Sequence, residues 1–297
     1  MIPSDRLEFA FTTSADCSKI PRVPLADSTL GVHKVSQPQL LTHRIVVPPQ
    51  PTDSSTGGSQ KLPLAAWESL YPAGSISPSS PIKGGFGFYL SGPEAFKAAS
   101  ADAREVIMGY EVMFEESWEW VKGGKLPGIF GGIGNAAYGC SGGRKDERCK
   151  CFDLRLMWRA NGLGELYAYL PLDPTNTARL LAVPPFSHQN PDYGFSVGRG
   201  AWRFTSGKWI KVATRIKMND VGQENGEVEV YIDGESVIRI EGLVLRDDPA
   251  SYVQGLHFQT FFGGHSADWA SPKDQRAWFT SVSGAVIRDC GRTRDEL

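Results

Sequence analysis

KLPGIFGGIGNAAYGCSGGRKDERCKCFDLRLMWRANGLGELYAYL, residues 125–170, decides the fold. Its last twenty residues hold two alternating runs, FDLRLMWR and ELYAYL, joined by a short turn. In the first run Phe152, Leu154, Leu156 and Trp158 share one face, and Asp153, Arg155 and Arg159 the other. In the second, Leu166, Ala168 and Leu170 oppose Glu165, Tyr167 and Tyr169. A strict period of two is the signature of a half-buried strand. Asn161-Gly162 inside the connection marks a hairpin. A loop over 160–164 puts Arg159 opposite Glu165, Met157 by Tyr167 and Arg155 by Tyr169. Opposed residues share a face. The apolar sides therefore merge into a core, while a guanidinium and two phenols stand together on the open side, a surface suited to an anionic ligand.

The same alternation recurs outward from this hairpin. Strands are expected at Leu7–Thr12, 43–47, 84–90 and 104–115, the last with Val106, Met108, Tyr110, Val112 and Phe114 on one face. Others follow at 208–218, in a second hairpin over 227–240, at 256–262 and at 283–289. Helical periodicity is weak, with one candidate at 93–104, and the Pro-rich stretch 171–193 reads as loop. Many short strands punctuated by turn residues predict an all-β chain, a concanavalin-like jelly-roll sandwich of two antiparallel sheets. The 297 residues read as one domain, whose first 66 are rich in Pro, Ser, Thr and Gly and contain no apolar set able to fold alone.

Charge narrows the partners. The net charge of −2 gives no footprint for nucleic acid or a membrane surface, and no stretch approaches the length of a membrane span. Locally the balance reverses, with seven Lys and Arg against four acids between Lys125 and Tyr169. A basic patch on a slightly acidic protein suits an acidic substrate, although residues 144–150 alone also read as a solvated loop. Cys140, Cys149 and Cys151 lack zinc-ligand spacing and a nearby His, so no metal or other cofactor is expected. A disulfide from Cys140 to Cys149 or Cys151 is favoured, and Cys17 with Cys290 would tie the termini. Disulfides imply an extracellular location, against an N-terminus, MIPSDRLEFAFTT, without signal-peptide character.

The usual hydrolase, zinc-protease and nucleotide motifs are missing. Glu111, Asp153 and Glu165 offer carboxylates for glycoside hydrolysis, in no recognisable acid–nucleophile pattern. Lys125, Arg155, Tyr167 and Tyr169 suit β-elimination at a uronate better. That reaction needs a cation to hold the carboxylate, a base for the C5 proton and an acid for the C4 oxygen.

The blocks GGKLPGIFGG (123–132), GCSGGR (139–144), CFDLRLMWRANGLGELYAYLP (151–171) and FQTFFGG with DWASPKDQRAWF (258–279) resemble polysaccharide lyase family 14, which contains alginate and glucuronan-type lyases. The resemblance covers a core of residues 67–290. It implies a catalytic set of Lys125, Arg155, Tyr167 and Tyr169. Arg155 would neutralise the carboxylate, and Lys125 would support that charge or act as base. One tyrosine would protonate the leaving oxygen while the other orients the sugar. Asp153 stands where the family pattern has Ser, and pairing with Arg155 or Arg159 would temper its charge. Asp153, Arg159, His257 and Gln259 are expected to contact substrate. The implied protein is a monomeric polyuronate lyase acting on the 1,4-linkage. The alternative is a non-catalytic carbohydrate-binding protein on the same fold.

Overall fold

The computed structural model describes residues 6–36, 43–52 and 62–288. In its first half the strands are β1 (Leu7–Thr12), β2 (Val32–His33), β3 (Arg44–Val46), β4 (Ala66–Tyr71), β5 (Phe86–Leu90), β6 (Glu105–Phe114) and β7 (Gly123–Gly132). The next are β8 (Cys151–Arg159), β9 (Gly164–Tyr169), β10 (His188–Gln189), β11 (Phe195–Val197) and β12 (Trp209–Lys217). The last four are β13 (Gly226–Ile232), β14 (Glu235–Leu243), β15 (Tyr252–Phe262) and β16 (Gln275–Ile287). Three helices, α1 (Asp27–Leu30), α2 (Glu94–Ala101) and α3 (Pro174–Leu181), lie between strands. No helix among the described residues is long and apolar enough to cross a membrane.

These strands make a jelly-roll sandwich of two antiparallel sheets. One sheet runs β14-β13-β12-β6-β16-β4-β3, with β1 added on β16, and the other runs β10-β11-β9-β8-β7-β15-β5-β2. Alternation places one face of each strand inside. From β6 come Val106, Met108, Tyr110, Val112 and Phe114, and from β8 come Phe152, Leu154, Leu156 and Trp158, all buried in one core. Aromatic rings dominate that core. Phe258 lies 5.3 Å from Phe88, 5.2 Å from Trp67 and 5.3 Å from Tyr110, centroid to centroid. Such ring contacts add to the area burial that drives the sheets together. The second hairpin, β13–β14, closes through Asp233 and Gly234, both at positive φ (51° and 91°). Those angles match a tight turn to the strands' right-handed twist.

Several sequence expectations need correction. The connection between β8 and β9 is four residues, Ala160–Leu163, because Asn161 and Gly162 both adopt left-handed φ and close the turn early. Arg155 is therefore opposite Tyr167, Asp153 opposite Tyr169 and Met157 opposite Glu165. The shift is two residues, so every side chain keeps its face. The stretch 171–193 contains α3, which starts where Asp173 accepts a hydrogen bond from Thr175 N (2.7 Å) and Pro174 takes the first helical position. α2 ends at Ala101, short of the expected 104. The closing strand begins at Gln275, eight residues early, and runs along β4 before it reaches β1. Of the two pairings expected for Cys140, the one with Cys151 forms, and Cys149 is exposed and free. Cys290 lies outside the described residues, and the proposed link to Cys17 with it.

The glycine-rich block 123–132 is a central strand, β7. A Cβ on Gly124 would sit 2.1 Å from the Trp158 ring, so the glycines make room for large rings on the neighbouring strand. Pro127 interrupts the ladder with β8 between Leu126 and Gly128, forming a bulge. Its carbonyl points into the core, where the Tyr110 hydroxyl donates to it across the sandwich (3.0 Å). Truncating the ring at the centre of the aromatic cluster, Phe258→Ala, is expected to lower unfolding free energy by about 3–5 kcal/mol. Urea denaturation followed by tryptophan fluorescence measures it.

Candidate active site

The outward face of the second sheet carries the polar residues singled out in the sequence. β8 contributes Asp153, Arg155 and Arg159, β9 contributes Glu165, Tyr167 and Tyr169, β7 contributes Lys125, and β15 contributes His257 and Gln259. Most are deeply buried: Lys125 and Tyr167 are each 7% exposed, and Arg155 3%. The outer side of β9 is walled by the disulfide. Cys140, Cys151, Met157, Tyr167 and Tyr169 form a small apolar cluster of their own on this face.

Two hydrogen bonds span three strands. Gln259 Oε1 accepts from Arg155 Nη1 (2.6 Å), and His257 Nδ1 donates to Asp153 Oδ2 (2.7 Å). Each connects β15 to β8 over the top of β7. They can do so because β7 presents Gly128 at that point. A Cβ there would lie 2.0 Å from Leu154 O and 2.5 Å from Arg155 Cα, so no side chain fits. Asp153 also faces Arg155 Nε at 3.6 Å, an ion pair too long for a hydrogen bond. Arg155 is thereby held at one flank, while its Nε has no hydrogen-bond partner among the described residues.

Lys125 Nζ is buried and likewise has no hydrogen-bond partner there. It rests 3.2 Å from the centroid of the Tyr167 ring and 5.5 Å from that of Tyr169. Burial, and then the charges of Arg155 and Arg159, hold its pKa well below the ordinary lysine value. The phenols move the other way. Burial pushes Tyr167 and Tyr169 up, and the Arg155 and Arg148 guanidiniums only partly offset this at Tyr169. An amine made readier to lose its proton therefore lies over the rings of phenols that keep theirs. Divergent shifts of this kind separate a base from an acid within one site.

Glu165 serves the scaffold. It is fully buried and accepts from Arg159 Nη2 (2.5 Å), Arg199 Nε (2.7 Å) and Ser196 Oγ (2.6 Å). Burial alone would raise its carboxyl, but Arg159, Arg199 and Ser196 together hold it below the ordinary value. Glu111 lies on β6, in the opposite sheet, beside Lys211. The carboxylates considered for hydrolysis thus do not converge. Three contributors escaped sequence reading. Arg148, placed in a solvated loop, is only 4% exposed, with its guanidinium 5.1 Å from the Tyr169 ring. Tyr89 stacks on His257 at 4.2 Å. Arg199 joins from β11's far end. Nothing local in the sequence marks these residues, since the disulfide and the sheet order bring them in.

A jelly-roll sandwich whose open face gathers buried cations beside two phenols is a carbohydrate-active protein built for an acidic sugar chain. The chain belongs to polysaccharide lyase family 14, whose model matches residues 64–282. A marine PL-14 alginate lyase from Aplysia kurodai superposes with a TM-score of 0.69 at 30% identity, covering 87% of this chain and 93% of that one. The alginate lyase vAL-1 from Chlorella virus gives 0.66 at 21% identity over 88% and 94%. The alginate lyase Aly36B gives 0.55 at 21% over 76% and 81%. The last two likenesses speak to the fold alone. No curated protein sequence matches the chain.

Glu165→Gln would leave Arg159 and Arg199 without their shared counter-charge. It is expected to cost about 3–5 kcal/mol of stability at neutral pH. The wild-type carboxyl titrates below its ordinary value, so its contribution is present above that value and is lost as pH falls through the folded one. Urea unfolding of both proteins should accordingly converge at strongly acidic pH.

Proposed function

We propose that this polysaccharide lyase cleaves 1,4-linked polyuronate by β-elimination, with Lys125 as base and Arg155 as carboxylate clamp. Arg155 binds the uronate carboxylate through its guanidinium, so that charge leaving C5 spreads onto a neutralised group. Lys125, in its neutral form, takes the C5 proton. The C5–H electron pair forms the C4=C5 double bond, the C4–O bond breaks, and a tyrosine hydroxyl protonates the departing oxygen. Tyr169 suits that role, because Arg155 and Arg148 stabilise the phenolate it leaves. Tyr167 holds Lys125 against its ring. The observation that carries this reading is the buried, unpartnered Lys125 amine lying against both phenols beside Arg155.

Arg159 and Gln259 fit the binding of flanking groups, Gln259 by orienting Arg155 and Arg159 from its bond to Glu165. The disulfide between Cys140 and Cys151 supports action outside the cytosol. Asp153, beside the clamp, favours a second reading as a binding protein. Its charge opposes that of a substrate carboxylate, although His257 and Arg155 share it.

Absorbance of the unsaturated uronate product separates the two. Incubation with polymannuronate, polyguluronate or glucuronan should raise it for at least one polymer. Binding without any rise would favour the second reading. Lys125→Ala should lower turnover of polymannuronate or glucuronan by about 10²–10⁴-fold with an unchanged circular dichroism spectrum. Lys125→Arg should be equally inactive, because a guanidinium does not deprotonate. Wild-type turnover should rise with pH and level off well below the ordinary lysine pKa of 10.5.

A further inference from the structure

Asp153 and His257 form a unit that the mechanism above leaves unused. Asp153 is 2% exposed and His257 5%, and their bond runs from β8 to β15 over Gly128. An ionised carboxylate only accepts hydrogen bonds, so Nδ1 of His257 carries the proton and Nε2 is left with its lone pair. Tyr89 stacks on the ring and fixes its plane. A carboxylate orienting an imidazole so that its second nitrogen can accept a proton is the arrangement of a general base.

Position gives this second base a purpose. Relative to Arg155, the Lys125 amine and the two phenols gather on the β9 side, whereas His257 and Gln259 stand on the β15 side. In a D-mannuronate or D-glucuronate unit the C5 hydrogen and the C4 oxygen lie on the same ring face. Elimination there needs base and acid side by side, as Lys125 and the tyrosines are. L-guluronate has the opposite configuration at C5, so its hydrogen and leaving oxygen lie on opposite faces. Elimination then needs a base across the ring from the acid.

Resting on the lyase reading, we infer that His257, oriented by Asp153, is a second catalytic base that extends the enzyme to L-guluronate. With the carboxylate on Arg155, Nε2 of His257 takes the C5 proton and the electron pair forms the C4=C5 bond. The C4–O bond breaks, and the tyrosine on the opposite flank protonates the oxygen. Solvent then restores both groups. Asp153 acts as a positioning residue through His257, which accounts for a carboxylate at the place of the family's Ser. The charged and titratable groups facing His257 are Asp153 and Arg155 on β8, Lys125 on β7 and Tyr89 on β5. Burial, joined by the charges of Arg155 and Lys125, lowers its pKa despite Asp153, so the neutral form persists below the ordinary imidazole range.

The test compares initial rates on polymannuronate, glucuronan and polyguluronate. In His257→Gln the guluronate-to-mannuronate rate ratio should fall by about tenfold or more, with glucuronan following mannuronate. An unchanged ratio overturns the inference, as does a larger loss on mannuronate. Asp153→Asn should lower the same ratio and move the acid limb of the guluronate pH profile to lower pH, since the carboxylate no longer favours the imidazolium. If His257→Gln fails to fold, the wild-type profiles decide. Different acid limbs on the two alginate blocks support two bases, and superimposable limbs exclude them. A wild-type enzyme that cleaves mannuronate or glucuronan but not guluronate overturns this inference and leaves the lyase reading standing. One that cleaves none of the three removes the lyase reading itself.

Discussion

The bulge at Pro127 is the constraint on which the site depends. A proline cannot donate to a sheet ladder, and in a central strand it leaves a carbonyl facing the core. An unsatisfied buried carbonyl would cost about 1–3 kcal/mol, and Tyr110 removes that cost from the opposite sheet. The bulge also resets the alternation of β7. Leu126 and Ile129 both point inward across it, with Lys125 and Phe130 outward and Gly128 between them. The result is a one-residue gap, at Gly128, in the outward side chains of β7. Side chains of β15 reach across that gap to β8, and the cationic clamp takes its orientation from them.

Electrostatics explains why so much charge can be buried there. Lys125, Arg148, Arg155, Arg159 and Arg199 outnumber Asp153 and Glu165. Each carboxylate is shared: Glu165 between two guanidiniums, and Asp153 between an imidazole and a guanidinium. Burial, joined by the excess positive charge, lowers the proton affinity of Lys125, and that charge stabilises an anion placed among the cations. A neutral face of the same shape would lack both properties. The stability lost in keeping these groups desolvated and partly unpaired is the usual cost of a preorganised site, and the aromatic core beneath supplies the rigidity.

How much was legible in the sequence varied with the range of the interaction. Faces were legible, because a period of two assigns every residue of FDLRLMWR and ELYAYL to a side whatever the register. Register was not. It depends on whether Asn161 and Gly162 adopt left-handed angles, and either turn length satisfied the pattern. α3 carried a readable start, Asp173 followed by Pro174, hidden by the proline-rich composition around it. β7 was obscured for a different reason. Its glycines look like loop until the rings of Trp158 and Phe152 are seen lying where their side chains would be.

The sequence by itself determined the all-β class, the buried and open faces of the central hairpin, and the gathering of Lys, Arg and Tyr on one open surface. Those properties follow from local periodicity, which every strand carries in its own residues. Only the tertiary structure decided that Glu165 is a buried counter-ion, that Arg148 lies against Tyr169, and that His257 meets Asp153. Each of these joins segments whose proximity is set by sheet order, by a disulfide or by a missing Cβ at Gly128. Contacts between distant segments are fixed by packing, and a pattern read along one strand does not contain them.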